Sequence, residues 1–410
     1  MRAADEDPLT ETRTNWTGVL TGLSFGVYAA YQQFKLPPVL PVLLERYDYD
    51  LVLAGGFMSI IAVAGLVLSY PLGEGVQRRG MPRFLAGSFA LMAAGNLVML
   101  AAPESGWLVL TARGMEGVAF TTLALSGPAL MVRSAERKDV PLVIGLVATW
   151  IPAGQLIASF AAAAAGAAAG QAAWRPLWWL ALAMTAALAA WLWRSHRRGT
   201  VDLAPPQADS AGGRPPSRRE RLCVIAGAGI FGLWTSQYFA YMTWMPQYLV
   251  AVHGLDPTSA AWGYALPVAT LLIFCLITGA VLRAGVPVGV LLIAALASQA
   301  AVWLLLPVTA GAVAGLASLL AYGAGAGVSA TCLLALPSTI LGKERAGPSA
   351  FGIVMTGRNL GIMAGPVVLA YAFGLAGDWQ VGSPIFGAIT AAAMVGAILL
   401  NRALGRGAGR

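Results

Sequence analysis

The chain has 410 residues, 58% of them hydrophobic and only 11% charged, with a mean hydropathy of +0.71. Soluble domains carry about 25% charged residues, so the composition excludes a water-soluble globular protein and indicates an integral membrane protein. The net charge of +8 does not imply nucleic acid, because the basic residues sit in short loops between apolar segments and none of them forms a basic tract interleaved with aromatics. Cys223, Cys275 and Cys332 lie far apart, in or at the ends of apolar segments, so neither a disulfide framework nor a metal cluster is expected, and no cofactor.

Residues 1–15 carry Asp5, Glu6, Asp7 and Glu11, the opposite of a basic secretory n-region, so the first apolar segment is expected to stay in the protein. From there the predicted membrane helices run over 16–44, 51–73, 82–102, 107–132, 140–169 and 174–194, then 222–250, 258–282, 286–308, 311–338, 348–376 and 381–402. Each is long enough to cross a hydrocarbon core of about 30 Å. The predicted fold is an all-α integral membrane protein, twelve transmembrane helices in two six-helix pseudo-symmetric bundles.

Between the blocks, Arg194–Arg221 holds seven Arg, four Pro and no aromatic residue. Such a segment cannot bury enough apolar surface to offset its ordering entropy. The expected organisation is therefore a tail (1–15), a bundle (16–194), a linker (195–221), a second bundle (222–402) and a tail (403–410). With the N-terminus inside, the cytoplasmic segments hold 21 Lys and Arg, against Arg46 and Arg175 outside. That bias predicts both termini in the cytoplasm, with the chain multi-pass in the cell's inner (plasma) membrane.

The two blocks repeat. A shift of 205 sets Phe34 on Phe239, Pro41 on Pro246, Arg78 on Arg283, Gly80 on Gly285 and Pro82 on Pro287; a shift of 207 sets Pro141 on Pro348, Gly145 on Gly352, Thr149 on Thr356 and Gly154 on Gly361. Parallel repeats of this kind place a substrate path between the halves near mid-membrane.

Four motifs carry a family resemblance. Gly73-Glu-Gly-Val-Gln-Arg78-Arg79-Gly80, after the second helix, is similar to the G-x-L-x-D-R-x-G loop of the major facilitator superfamily, with Gln77 where that family has Asp. Arg113-Gly-Met-Glu116-Gly117 resembles the family's R-x-x-x-G motif. Gly145, Pro152, Ala153 and Gly154, answered by Gly361, Gly365 and Pro366, are similar to its glycine-proline antiporter motif. Lys35-Leu-Pro-Pro-Val-Leu-Pro41 resembles the cyanate and nitroimidazole branch. The resemblance implies a secondary transporter whose loop residues Gly73, Arg78, Gly80, Arg283 and Gly285 act in conformational change, and in which Arg113 serves proton coupling; Glu116, nearly the only carboxylate away from a helix end, is the expected proton carrier beside it. The competing readings are an ordinary basic turn, a self-cancelling ion pair and close helix packing.

The residues suggest a substrate site independently. Tyr28, Tyr31, Gln32 and Lys35 fall at i, i+3, i+4 and i+7, one helix face, and Trp234, Gln237, Tyr238 and Tyr241 repeat the spacing 206 residues on. Such a stripe suits a cavity wall, or else an interfacial aromatic belt. An intramembrane ionisable residue faces a partner or a watery cavity. If Glu116 neutralises Arg113, then Lys35 and Arg358 are expected to lack a carboxylate, and an arriving anion is the economical partner for Arg358, with Asn359 beside it; bonds to backbone carbonyls are the alternative. Thr356, Trp150 and Gln155 are weaker candidates for the same cavity. No nucleophile elbow, zinc spacing or phosphate loop is present, so no enzyme is expected. The expected function is alternating-access transport of a small, anionic substrate, with protons implied by the resemblance, by a monomer in contact with lipid and without nucleic acid. Proton-coupled drug or metabolite efflux is the second reading, and a non-transporting receptor or scaffold the third.

Overall fold

The computed structural model describes residues 13–136, 139–169, 174–201, 203, 216–309, 312–342 and 348–405. The expected tails over 1–12 and 406–410 and the linker over 204–215 lie outside the described residues. Among those described, thirteen α-helices and no strand occur. They are α1 (Trp16–Phe34), α2 (Leu40–Tyr47), α3 (Leu51–Arg79), α4 (Met81–Ala101), α5 (Gly106–Arg133), α6 (Val140–Ala169), α7 (Trp174–Arg197), α8 (Arg218–His253), α9 (Pro257–Arg283), α10 (Val288–Leu305), α11 (Ala312–Leu341), α12 (Pro348–Ala376) and α13 (Gly382–Gly405). Eleven contain a span long and apolar enough to cross a bilayer. The remaining crossing is assembled from α1, a 3-10 turn over Pro37–Val39, and α2.

The break in that first crossing follows from its prolines. Pro37 and Pro38 have no N–H to give to the carbonyls of Gln33 and Phe34, so the α-helical ladder cannot continue. In the second half the corresponding positions, 205 residues on, are Met242 and Thr243, which keep their donors, and α8 runs unbroken for 36 residues with Pro246 inside it. The capping box of Ser217 and Glu220 starts α8 four residues before the apolar segment does. At α9, Asp256 accepts from Ser259 and Thr258, and the Ser259 bonds hold its carboxyl below the usual range.

Helices α1–α7 pack among themselves, as do α8–α13, and the halves meet where α3 lies on α12 and α6 on α9. Within the second half α8 and α12 approach backbone to backbone. A Cβ at Gly357, Gly361 or Gly365 would sit 2.0, 2.1 or 2.1 Å from the carbonyl oxygens of Ala228, Gly232 and Ser236. The first half repeats the contact with Gly154, whose Cβ would meet the Val27 carbonyl at 2.3 Å. Helix contact therefore accounts for Gly154, Gly361 and Gly365 of the antiporter-like motif. Gly357→Ala should cost about 1–3 kcal/mol by forcing α8 and α12 apart, read as a lowered unfolding temperature in detergent; an unchanged temperature would refute the tight contact.

The two ends of the fold and the flanks of the insert share one face. Asn15 bonds the carbonyls of Ser134 (2.8 Å) and Thr200 (2.7 Å), the Met81 N–H bonds the Leu203 carbonyl at 3.3 Å, and Arg219 donates to the Ala403 carbonyl. The contacts that join the halves run from mid-helix toward the opposite face. They include Phe34 with Phe239 (5.6 Å between rings), Phe160 with Trp262 (5.7 Å), and the Ser59 hydroxyl on the Ile362 carbonyl (3.5 Å).

Candidate functional site

In the first half the ionisable residues form a closed cluster at the break in the first crossing. Glu116 accepts from Arg113, one turn earlier on α5, and from Lys35 at 2.8 Å. The expectation that Lys35 lacks a carboxylate is thus corrected: one carboxylate serves both cations. The α1 break explains this, because it leaves Lys35 at the helix end, where its side chain reaches α4 and α5. All three ammonium hydrogens have acceptors, since Lys35 also donates to Gln32 and to Asn96 (2.5 Å), and the ammonium lies 4.7 Å from the Trp178 ring centre. Arg113 spends its five N–H groups on Phe57 O (3.1 Å), Gln32 O (2.8 Å), Gln33 O (3.0 Å), Glu116 and the Met58 sulfur (3.8 Å). The Gln33 carbonyl is one that Pro37 orphans, so Arg113 caps the broken end of α1.

The two aromatic stripes do not form walls facing each other. Tyr28 is bonded to Thr185 and to Gln32, and Tyr31 donates to the Leu177 carbonyl at 2.7 Å. These partners lie on α7 or on α1 itself, so Tyr28, Tyr31, Gln32 and Lys35 turn their polar ends into the first half, not toward the second. Gln237 likewise accepts from Trp303 (2.7 Å) and Tyr322 (2.8 Å) inside the second half, and Tyr241 stacks on Tyr322 with ring centres 3.5 Å apart. In this conformation Tyr28, Tyr31, Gln32, Lys35, Gln237 and Tyr241 are engaged within their own halves. The physical reason is that the centre of each six-helix unit has its own buried polar demand, which a stripe meets as well as a cavity does. The shift of 206 that sets Lys35 on Tyr241 also sets Glu116 on Tyr322. An ion pair in one half is thus replaced by a ring stack in the other.

Tyr238 behaves differently. Its hydroxyl donates across to Gln155 Oε1 on α6 at 2.9 Å, and Gln155 Nε2 donates to the hydroxyl of Tyr264 on α9 at 2.8 Å. The Trp234 ring stacks on Tyr238 at 5.1 Å. Arg358, on α12, is tied to the same stretch of α8, since the Thr235 hydroxyl, one turn before Tyr238, donates to its carbonyl at 2.9 Å. Its neighbour Asn359 packs on Gly65 of the first half, 3.2 Å from where a Cβ would stand. Arg358 makes one side-chain hydrogen bond among the described residues, to Asn359 at 3.3 Å, and no salt bridge. Trp150 packs against Phe120 within the first half, and the Thr356 hydroxyl bonds its own helix. Sequence reasoning missed Tyr264, Asn96 and Trp178; a lone amide such as Asn96 in an apolar helix was the available signal, whereas nothing distinguishes Tyr264 before the helices are packed.

The expected conformational loop is mostly helix. Gly73 and Arg78 lie inside α3, which continues to Arg79 as polar side chains solvate its end, and only Gly80, with φ +79°, makes the turn. Arg78 pairs with Glu74 one turn back at 2.6 Å, both well exposed, and not with a neighbouring helix. Arg283 bonds its own Gly279 carbonyl at 3.3 Å, ahead of Gly285 at φ +93°. An exposed i,i+4 pair contributes about 0.3–0.5 kcal/mol, so Arg78→Ala should leave the unfolding temperature nearly unchanged; a large drop would reveal a latch that the geometry lacks.

The model of the Major Facilitator Superfamily matches residues 19–366. The chain belongs to that superfamily. As a major facilitator protein it is a multi-pass membrane transporter, moves a small-molecule substrate by alternating access, and is not an enzyme. Among solved structures, a bacterial homologue of the human lysosomal transporter Spinster, crystallised inward-facing and unoccupied, aligns with a TM-score of 0.70 over 96% of each chain at 12% identity. At that identity the likeness is one of fold. No protein of curated function matches the sequence.

Proposed function

We propose that this transporter carries a small anion or weak organic acid, and that Arg358 is the group that binds it. One contrast supports the reading. Arg113 has acceptors for all five of its N–H groups, whereas Arg358 has a single bond of 3.3 Å, to its own neighbour. A guanidinium cannot shed its proton to escape this, and an unpaired cation within a membrane protein is costly. Carboxylate or nitrate oxygens, which only accept, suit its planar fork. Tyr264 adds a donor, since its hydroxyl accepts from Gln155 and its own proton has no acceptor among the described residues. Asn359 and Tyr238 complete the site, and Gln155 joins it from the first half.

In this reading residues 16–194 and 222–402 are the two rocking bodies, 195–221 the cytoplasmic linker, and 1–15 and 403–410 the tails. The chain works as a monomer in the inner (plasma) membrane with both termini inside, as the bias of basic residues supports. Protons couple through Glu116 and Arg113. Uptake of radiolabelled acetate, benzoate, cyanate and nitrate into proteoliposomes tests the substrate class. At least one should enter, compete with the others, and be lost in Arg358→Ala. Extrusion of a hydrophobic cation that survives this substitution would instead favour efflux, the reading that the aromatic surroundings of Tyr238 support.

A further inference from the structure

Gln155 is the one side chain of the first half hydrogen-bonded to side chains of the second, among the described residues, and it holds two of them. Its partners stand on different helices, Tyr238 on α8 and Tyr264 on α9, so one amide ties α6 to both. Gln155 and Tyr264 are fully buried and Tyr238 is 3% exposed, so water cannot readily replace these bonds. The amide marks the mid-membrane end of a seam. From Gln155 outward, α6 and α9 meet through Phe160 and Trp262, then through Gly166 and Thr258, toward the face opposite the chain ends. Those outer contacts are apolar or steric and have no competitor for a polar solute. The Gln155 bonds do have one, because the Tyr238 hydroxyl that donates to Gln155 stands one helical turn along α8 from Thr235, whose hydroxyl bonds the Arg358 carbonyl at 2.9 Å.

We propose that Gln155 is a latch that couples anion binding to opening of this seam. An anion seated on Arg358 offers charged oxygens, which accept hydrogen bonds more strongly than an amide carbonyl. Tyr238 swings its donor from Gln155 Oε1 to the anion, and Tyr264 turns its free proton the same way. The Tyr264 oxygen still accepts from Gln155 Nε2, so Gln155 loses its hold on α8 and keeps a single bond to α9, and the weakened seam opens more readily. The anion shifts the equilibrium by as much as it prefers the released Tyr238. The latch rests on the reading of Arg358 as the anion site, and it assigns to Gln155 and Tyr238 a positioning role beyond contact with substrate.

Spin labels on Ala168→Cys and Leu255→Cys, exposed positions at the outer ends of α6 and just before α9, report the seam in nanodiscs once Cys223, Cys275 and Cys332 are replaced by serine. In the parent protein acetate, benzoate, cyanate or nitrate should lengthen the distance. Gln155→Leu should raise the open-to-closed ratio without ligand, by about ten-fold for each buried hydrogen bond lost, and should blunt the response to the anions. Tyr238→Phe and Tyr264→Phe, each removing one oxygen, should shift the ratio the same way by less, and they guard against misfolding in Gln155→Leu. Parent-like distances in all three variants overturn the latch. An anion that thermally stabilises the parent yet leaves the seam unchanged overturns the coupling while the anion site stands. A seam that opens in Gln155→Leu when no anion stabilises the parent overturns the anion trigger.

Discussion

Glu116→Gln is expected to destabilise the protein by about 3–5 kcal/mol, the cost of leaving buried charge without its partner. Formally the cluster of Lys35, Arg113 and Glu116 carries one net positive charge, which Gln32, Asn96, three backbone carbonyls and the Trp178 ring help to solvate. The glutamine raises the net charge to two and turns an amide N–H₂ toward donors. Lys35→Met lowers it to zero and leaves an arginine–carboxylate pair, so it should cost less than Glu116→Gln even though the lysine also packs on Trp178. The effect should concentrate on the break between α1 and α2, because Arg113 is what bonds the Gln33 carbonyl that Pro37 leaves unpaired. Unfolding temperatures of the three proteins in one detergent check the ordering; a Lys35→Met protein weaker than Glu116→Gln would mean that packing, not charge balance, governs the cluster. The same glutamine variant tests coupling. If protons pass through Glu116, any anion uptake that remains should no longer respond to an imposed pH gradient.

The second large effect is on transport. Arg358→Ala should cut anion uptake by at least about a hundred-fold, since two hydrogen bonds from a charged donor contribute roughly 1.5–3 kcal/mol each. Its effect on stability should be small or even favourable, because the guanidinium has only the 3.3 Å bond to Asn359 to lose. Arg358→Lys keeps the charge but not the planar fork, and should bind more weakly while recovering part of the rate. Loss of uptake with intact folding separates Arg358 from Arg113, whose removal would uncap α1 and is expected to cost stability first.

The fold was legible because membrane helices announce themselves by length. The ends read from hydropathy fall within a few residues of α4, α5, α6 and α9, whereas the single helix expected over 16–44 is divided by Pro37 and Pro38 into α1 and α2. Where the readings diverge, polar residues prolong a helix past the apolar stretch, as Glu74 and Arg78 do on α3 and Ser217 with Glu220 on α8. The site was legible in part. Periodicity correctly put Tyr28, Tyr31, Gln32 and Lys35 on related turns of one helix, but a helix in a six-helix unit has two polar clients, its own bundle centre and the path between halves. Spacing cannot say which of these a face serves. Gln237 and Tyr238 are adjacent in sequence, yet the first bonds inward to Trp303 and the second across to Gln155. Lys35 illustrates the same limit, since its bond to Glu116 depends on how α1 and α5 pack, 81 residues apart.

Thermal unfolding of the purified protein and of Arg358→Ala, each titrated with acetate, benzoate, cyanate, nitrate and tetraphenylphosphonium, tests most directly whether Arg358 awaits an anion, because a ligand bound to the folded state raises its apparent stability by mass action. At least one anion should raise the unfolding temperature of the parent, and none should raise that of Arg358→Ala. Stabilisation by the phosphonium alone, or an anion response that survives the loss of the guanidinium, would contradict it.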